Sequence, residues 1–310
     1  MRTAGALRRA FAAGALLAFA TLGETGAPAP VRHTIEHHGV TLALWEKPAV
    51  EPRGAILLVH GRTWSSLPNF DLDVAGEDRS VMNAFVRAGY CAYALDLRGY
   101  GQSPRDASGW ITPARAVADV HAALKWIAAR DGRRPALLGY SRGAQIAVLL
   151  AQREPRAVSA LVLYGFPPVN GASSPGDVSA PPRRPTTRAA AAEDFITPGA
   201  QPQAVVDAYA AQATAADPVR TDWRDESELV FDPAAIGVPT LLIYGENDPF
   251  RGAASGKFFD ALGTGDRSYV VLPRSDHAAH VEDSAPAWVH AIVGFLDRPR
   301  GPAARAISRP

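Results

Sequence analysis

Hydrophobic residues along this chain form short continuous runs that alternate with longer amphipathic stretches. Residues 33–48 differ, because polar and apolar positions alternate there around Gly39, which predicts a β-hairpin with one face in water. Short apolar runs predict strands buried on both faces of a sheet. These runs are residues 55–59, 91–95, 136–138, 160–163, 240–244 and 268–272. Helical stretches lie between them, at residues 79–88, 113–129, 144–152, 253–262 and 285–296. The alternation predicts βαβ units and a mostly parallel sheet with helices on both faces.

One segment interrupts this alternation. Residues 167–187 are rich in Pro, Gly, Ser and Ala, whereas residues 188–216 have a helical pattern. One apolar stripe of that helical stretch comprises Val205, Val206, Tyr209 and Ala210. Insertions of this length in a compact domain are usually functional lids or disordered. We therefore expect a single α/β domain over residues 31–296, with residues 167–232 inserted as a small cap over the sheet edge.

The two ends of the chain do not have the pattern of a folded domain. Arg2, Arg8 and Arg9 precede an uncharged run over residues 10–22, which is shorter than the roughly 20 residues that a bilayer-spanning helix needs. We interpret residues 1–30 as a signal peptide, with an uncleaved anchor as the alternative. The prediction is an exported protein, periplasmic or secreted, without a stable membrane span after processing. Residues 297–310 predict a flexible tail.

Charge and cysteine content exclude two classes of protein. With 32 Lys plus Arg and 31 Asp plus Glu, the net charge of +1 gives no electrostatic attraction to nucleic acid. Cys91 is the one cysteine, so a disulfide framework is excluded. We predict no metal site, because the adjacent His37 and His38 have no cysteine or carboxylate at ligand spacing, and no cofactor is implied. The sequence does not define an oligomeric state.

The residues from Gly139 to Gly143 have the pattern of a nucleophile turn. The sequence Gly139-Tyr140-Ser141-Arg142-Gly143 follows a predicted strand and precedes a predicted helix. A strand-to-helix turn this tight strains its central residue, and glycines on either side have no Cβ to clash. The turn presents the central hydroxyl at the C-terminal edge of the sheet. This context predicts that Ser141 is a nucleophile rather than part of an incidental turn.

Two further stretches give the chain a resemblance to the α/β-hydrolase superfamily. His60-Gly61 ends the apolar run at residues 55–59, where that family carries its oxyanion loop. Asp96-Leu97-Arg98-Gly99-Tyr100-Gly101-Gln102-Ser103 is similar to the family's D-x-R-G-x-G-x-S stretch. Together with Ser141 the resemblance covers residues 56–296. It implies an α/β-hydrolase fold with a mostly parallel central sheet, helices on both faces and a small cap insertion, as in serine esterases and lipases.

The resemblance also implies an acid and a base. Residues 245–249 are similar to the family's G-x-x-D turn, which makes Asp248 the acid and leaves Glu246 as a rival carboxylate. Residues 275–282 resemble the family's G-H-x-x-H-x-E loop, with Asp276 in place of the glycine. His277 then holds the position of the general base, and His280 holds a second, commonly structural one.

The oxyanion hole and the substrate pocket complete the predicted site. We expect the backbone N–H groups of Arg142 and Arg62 to hold the oxyanion, with Thr63 as the alternative to Arg62. The two arginine side chains either face solvent or meet a substrate carboxylate. Four aromatic residues are possible walls of an apolar acyl pocket, and each is alternatively a core residue. They are Trp64, Phe70, Phe166 and Trp223.

The predicted reaction follows from the serine. Family members with dehalogenase or epoxide hydrolase chemistry carry an aspartate there, so we expect hydrolysis of a small-molecule carboxylic ester through an acyl-enzyme on Ser141. An aminopeptidase remains open, and it would need an acidic patch in the cap from Glu193, Asp194, Asp225 and Glu226. A cofactor-free perhydrolase or haloperoxidase and a non-catalytic binding module with the same fold remain open as well.

Overall fold

The computed structural model describes residues 28–171 and 180–299. The predicted signal peptide and C-terminal tail lie almost wholly outside these residues. The strands are β1 (Val31–His37), β2 (Val40–Lys47), β3 (Gly54–Val59), β4 (Leu72–Val74), β5 (Glu77–Arg79), β6 (Tyr90–Leu95), β7 (Trp110–Ile111), β8 (Ala136–Tyr140), β9 (Leu161–Tyr164), β10 (Asp222–Trp223), β11 (Thr240–Gly245) and β12 (Arg267–Leu272). The helices are α1 (Ser66–Phe70), α2 (Val81–Arg87), α3 (Pro113–Asp131), α4 (Arg142–Arg153), α5 (Arg188–Ala192), α6 (Gln203–Ala216), α7 (Ala253–Asp260) and α8 (Ala285–Asp297). None of these helices has the length and apolar character needed to cross a bilayer.

Eight strands form the central sheet, in the order β1-β2-β6-β3-β8-β9-β11-β12. The six strands from β6 to β12 in that order are parallel, and the β1–β2 hairpin adds to β6 in antiparallel orientation. The predicted hairpin and the predicted mostly parallel sheet are confirmed. Because the strands are parallel, the carboxyl ends of β3, β8, β9 and β11 meet at one edge of the sheet.

The apolar strands separate two hydrophobic cores. Alternate residues of β3 contribute to opposite faces, with Leu57 in one core and Ile56 and Leu58 in the other. Helices α3, α4 and α7 cover the first face, and α1, α2 and α8 cover the second. Burial on both faces explains why these strands read as continuous apolar runs. Helices packed on both faces therefore support the carboxyl edge of the sheet.

The predicted helix at residues 79–88 begins later than expected. Arg79 lies in β5, which pairs with β4 in a short hairpin that the sequence pattern did not indicate. Helix α2 starts at Val81, because the side chain of Ser80 accepts a hydrogen bond from the backbone N–H of Asn83. The N-cap at Ser80 therefore sets the start of the helix.

The β9–β11 connection, residues 165–239, contains α5, α6 and β10. The prediction of continuous helical structure over residues 188–216 is wrong, because the chain leaves the helix after Ala192 and re-enters it at Gln203. Pro198 and Gly199, the latter with φ of 76°, lie in that interval and are incompatible with a regular helix. The stripe on α6 is buried as expected, with Val205 fully buried against a third apolar cluster that includes Trp64.

Candidate active site

Ser141 occupies a strained turn between β8 and α4. Its backbone has φ of 53° and ψ of −114°, a combination that residues with a Cβ rarely adopt. A Cβ added to Gly139 would lie 2.3 Å from the carbonyl oxygen of Gly143, and one added to Gly143 would lie 2.3 Å from that of Val59. The two glycines therefore let α4 begin directly against the end of β3. This packing holds the partly exposed Ser141 at the carboxyl edge of the sheet.

His277 and Asp248 are joined by a hydrogen bond. His277 Nδ1 lies 2.9 Å from Oδ2 of Asp248, whose side chain is fully buried. The backbone N–H of Phe250 donates to the other carboxylate oxygen at 2.9 Å. Because a carboxylate only accepts, Nδ1 carries the proton and Nε2 of His277 is left as the acceptor. The rival Glu246 is exposed and accepts from the backbone N–H of Arg274 instead.

Ser141 and His277 are connected at the same edge of the sheet by contacts of the neighbouring residues Tyr140 and Tyr164. The ring of Tyr140 lies 4.9 Å from the ring of His277, and the backbone N–H of Ser141 donates to the carbonyl oxygen of Tyr164 at 2.9 Å. The hydroxyl of Tyr164 donates to the carbonyl oxygen of His277 at 2.5 Å. Within the described residues, no hydrogen bond joins Ser141 Oγ to His277. Such contacts are often long without substrate and tighten in the Michaelis complex.

Gly165 is a residue of this site that the sequence pattern did not reveal. It follows β9 with φ of +56°, and a Cβ at this position would lie 2.6 Å from Cε1 of His277 and 3.1 Å from Oδ2 of Asp248. Only a glycine leaves room for the imidazole and carboxylate here. No sequence signal marks this glycine, because its neighbours come from the loops after β11 and β12.

Two loops place backbone N–H groups beside Ser141. A Cβ added to Gly61 would lie 3.5 Å from Cβ of Ser141, so the loop after β3 is in contact with the turn. Among the described residues, no acceptor pairs with the backbone N–H of Arg62, Thr63 or Arg142. The N–H of Arg142 is the first of α4 and has no acceptor within the helix. The unpaired donor of Arg142 thus adjoins Ser141, and those of Arg62 and Thr63 lie in the loop that contacts the turn.

His60 supports the first of these loops. Its Nε2 accepts the backbone N–H of Leu97 at 3.2 Å, so its Nδ1 donates to the carbonyl oxygen of Gly61 at 2.9 Å. Burial lowers the pKa of His60 to about 4, so the ring is neutral at physiological pH. Tyr100, from the D-x-R-G-x-G-x-S stretch, donates its hydroxyl proton to the carbonyl oxygen of Arg62. Through Tyr100, the D-x-R-G-x-G-x-S stretch therefore supports the loop after β3.

The side chains of Arg62 and Arg142 share one carboxylate. Glu226, in the β9–β11 connection, accepts two hydrogen bonds from Arg62 at 2.7 and 3.0 Å and one from Arg142 at 2.5 Å. The guanidinium of Arg142 also lies 5.1 Å from the ring centre of Trp223. Burial acts to raise the pKa of Glu226, but the hydrogen bonds and positive charges of the two arginines outweigh burial and lower this pKa. Of the two alternatives predicted for these side chains, exposure to solvent is wrong for Arg142, which is only 7% exposed.

The four candidate pocket walls occupy different surroundings. Phe70 and Phe166 are fully buried within the two main cores, so the core alternative describes both. Trp64 packs on α6 and donates its indole N–H to Asp194 at 3.1 Å. Trp223 stacks on Arg142 and donates its indole N–H to the hydroxyl of Tyr100 at 2.8 Å. Trp64 therefore packs against the β9–β11 connection, whereas Trp223 is part of that connection and contacts Arg142 and Tyr100.

Asp276, which replaces the glycine of the family loop, ties that loop to the β9–β11 connection. Its buried carboxylate accepts the backbone N–H groups of Ile196 at 2.9 Å, Thr197 at 2.6 Å and Ala278 at 2.8 Å. The backbone N–H of Asp276 in turn donates to Glu282. The aspartate that replaces the family's glycine thus has a structural role, because its hydrogen bonds hold the backbone directly before His277.

Behind this loop lies a cavity of about 780 Å³ between α2 and the start of α8. His280 and Glu282 line it, whereas Ser141 and His277 do not. His280 is buried, with Nδ1 3.2 Å from the hydroxyl of Tyr164, and burial lowers its pKa to about 3. His280 therefore packs within the structure next to Tyr164, and its structural role stays a prediction. Within residues 28–171 and 180–299, no group of three or more His, Cys, Asp or Glu residues could hold a metal ion.

Two residues of the predicted acidic patch, Glu226 and Asp194, have different partners. Glu226 is bound to two arginines, whereas Asp194 contacts Trp64 and, at 3.4 Å, the hydroxyl of Tyr209. Burial raises the pKa of Asp194 to about 6, while the positive charge that His277 carries when protonated opposes this shift. Asp194 is thus the member of the patch that interacts electrostatically with the proposed base.

Comparisons with solved structures agree on the fold. The chain is 19% identical to the thioesterase domain from the curacin biosynthetic pathway, with a TM-score of 0.64, covering 86% of this chain and 100% of that one. It is 22% identical to a hydrolase from Pseudomonas aeruginosa PA01, with a TM-score of 0.62 and coverage of 86% and 98%. It is 20% identical to the monoacylglycerol lipase of Paleococcus ferrophilus, with a TM-score of 0.61, covering 82% of this chain and 98% of that one. At these identities the likeness shows the fold alone.

The family assignment comes from the sequence. No curated protein sequence matches the chain. Residues 50–284, most of the chain, match the family described as "Serine aminopeptidase, S33". This span includes the Ser141 turn, the Asp248 turn and the His277 loop. The chain is therefore a hydrolase of the α/β-hydrolase superfamily and belongs to the serine aminopeptidase family.

Proposed function

We propose that this protein hydrolyses carboxylic esters through an acyl-enzyme on Ser141. The observation that carries the proposal is the His277–Asp248 hydrogen bond of 2.9 Å, at the sheet edge where Ser141 has a left-handed backbone. In a neutral imidazole this bond fixes the tautomer with the proton on Nδ1, so that Nε2 is the nitrogen able to accept a proton. The unpaired N–H groups of Arg142 and of the loop after β3 support the proposal, because they are free to donate to an oxyanion.

In this mechanism Ser141 Oγ attacks the acyl carbonyl carbon while its proton passes to Nε2 of His277. The negative oxygen accepts hydrogen bonds from the backbone of Arg142 and of Arg62 or Thr63. The C–O bond to the alcohol then breaks, and the alcohol leaves with the proton from His277. A water molecule repeats the sequence on the acyl-enzyme and releases the acid. Asp248 fixes the tautomer of His277 and stabilises its protonated form.

An aminopeptidase is the second candidate, because the family carries that name and because Asp194 lies in the electrostatic field of His277. A substrate ammonium group needs a carboxylate that is not already paired. Glu226 is neutralised by Arg62 and Arg142, so the patch has lost one of its charges. This distribution of charge favours the esterase.

A substrate panel tests the proposal. p-Nitrophenyl esters of increasing acyl length and aminoacyl p-nitroanilides are assayed with the wild type, Ser141→Ala and Ser108→Ala. The exposed Ser108 is a matched control, since it lies in a surface loop. We expect ester turnover that Ser141→Ala reduces by at least about 10⁴-fold and Ser108→Ala leaves unchanged. Faster turnover of the anilides would identify an aminopeptidase, and undiminished ester turnover in Ser141→Ala would refute the nucleophile.

A further inference from the structure

Two cations and one anion meet beside the proposed oxyanion donors. Arg62, Arg142 and Glu226 form one ion-paired cluster, so one positive charge remains when all three are ionised. Asp225, the residue before Glu226, interacts with Arg224 at 3.7 Å and not with these arginines. The cluster therefore presents a net positive field next to Ser141.

Arg142 has hydrogen-bonding capacity that the protein does not use. Its Nη2 donates to Glu226, but its Nη1 is buried and has no acceptor among the described residues. A buried cationic donor without an acceptor is costly, so an acceptor from outside the chain would be bound favourably. Burial and the nearby charge of Arg62 also lower the pKa of Arg142, and a bound anion would oppose both effects.

The cluster is reachable from solvent and already accommodates a carboxylate. The side chain of Arg62 is 38% exposed and that of Glu226 is 26% exposed. Glu226 shows which group fits, since its planar carboxylate bonds to both guanidinium groups at once. The backbone N–H groups of Arg62 and Arg142 are the proposed donors to the acyl carbonyl oxygen. Their guanidinium groups therefore lie within one side-chain length of the acyl group.

We infer that the preferred substrates are esters whose acyl group carries a second carboxylate, bound by Arg142 and Arg62 beside Glu226. The inference rests on the proposed esterase function and names its substrate class. Glu226 then weakens the binding of the substrate carboxylate, because its charge neutralises one of the two arginines. Removing its charge strengthens carboxylate binding, whereas removing either arginine weakens it.

Kinetics on a matched pair of esters test the inference. Mono-p-nitrophenyl glutarate carries the carboxylate, and its methyl ester is the neutral counterpart of similar shape. We expect kcat/KM for the charged ester to exceed that for the neutral one by about tenfold or more, as for other charge-assisted pairs. Arg142→Met should lower this ratio by about tenfold. Since Arg142 is buried, the more exposed Arg62→Met is the second variant, and circular dichroism verifies folding of both.

Glu226→Gln separates the inference from a purely structural role of the cluster. The glutamine keeps the shape and one acceptor oxygen but not the charge, so the charged-to-neutral ratio should rise several-fold. A structural role predicts an equal loss for both esters. The inference is overturned if the wild-type ratio is one or less, or if Glu226→Gln leaves the ratio unchanged or lowers it.

A binding measurement keeps the inference separate from the proposed function. Ser141→Ala is titrated calorimetrically with monomethyl glutarate and with dimethyl glutarate, which requires no turnover. We expect binding of the monoanion to be tighter by about tenfold and to weaken with added salt. If the wild type hydrolyses neither p-nitrophenyl ester, the proposed function fails while this comparison still decides the inference. Equal affinity for the two compounds would reject carboxylate recognition even in an active esterase.

Discussion

Gly165 packs so closely on His277 that a single methyl group would not fit between them. A Cβ at this position would lie 2.6 Å from Cε1 and 2.7 Å from Nδ1 of the imidazole. We predict that Gly165→Ala displaces the ring from Asp248 and lowers kcat for ester hydrolysis by about 100-fold, because small displacements of a base are costly. Steady-state kinetics with p-nitrophenyl acetate provide the measurement.

Gly132→Ala is the control for Gly165→Ala. Gly132 also has a left-handed backbone, with φ of +67°, but a Cβ there would meet nothing within 4 Å. Both substitutions carry the backbone strain of roughly 1–2 kcal/mol, whereas only Gly165→Ala creates the clash. Equal activity of the two variants would show that His277 is not held by this contact.

Asp276 connects the His277 loop to the β9–β11 connection through the backbone N–H groups of Ile196 and Thr197, and it accepts the N–H of Ala278 within its own loop. We predict that Asp276→Ala lowers the free energy of unfolding by about 2–4 kcal/mol, because it leaves the buried donor of Ala278 and the partly buried donors of Ile196 and Thr197 without their acceptor. Asp276→Asn retains one acceptor oxygen and should cost less. Urea denaturation measures both variants, and an unchanged unfolding free energy in Asp276→Ala would contradict the assignment.

Glu282 makes stability depend on pH in a direction that the structure defines. Burial raises its pKa to about 9 from an ordinary 4.5, so the folded protein keeps the carboxyl protonated while the unfolded chain ionises it. Its contribution to stability is therefore complete below pH 4.5 and is lost progressively as pH rises to about 9. The loss is up to roughly 1.4 kcal/mol per pH unit.

Glu282→Gln removes that ionisation and provides the test. We expect the free energy of unfolding of the variant to fall less steeply than that of the wild type between pH 5 and 8.5. Denaturation curves at several pH values measure the two slopes. Parallel slopes would mean that Glu282 is not buried and protonated in the folded protein.

The sequence predicts most of the sheet and helices because burial imposes a pattern on every residue of an element. The run at residues 240–244, for example, is apolar because β11 is covered on both faces. Local pattern was misleading over residues 188–216, where apolar periodicity continued across Pro198 and Gly199. There the backbone restriction of two residues outweighed the preference of their neighbours.

The candidate site was predictable where local geometry constrains residue type. The glycines around Ser141 are needed by the turn itself, so they form a pattern in the sequence. Gly165 and Glu226 form no such pattern, because their roles arise from contacts with His277 and with Arg62 and Arg142, all distant in the chain. Such roles become visible only when the fold brings the partners together.

Covalent labelling of Ser141 tests the central claim most directly. A fluorophosphonate reacts with a serine hydroxyl that is activated by a neighbouring base, and peptide mass spectrometry locates the adduct. We predict one adduct, on Ser141, that forms in parallel with the loss of ester hydrolysis and is absent in His277→Ala. An active enzyme that is not labelled at Ser141, or that is labelled equally fast in His277→Ala, would contradict the account.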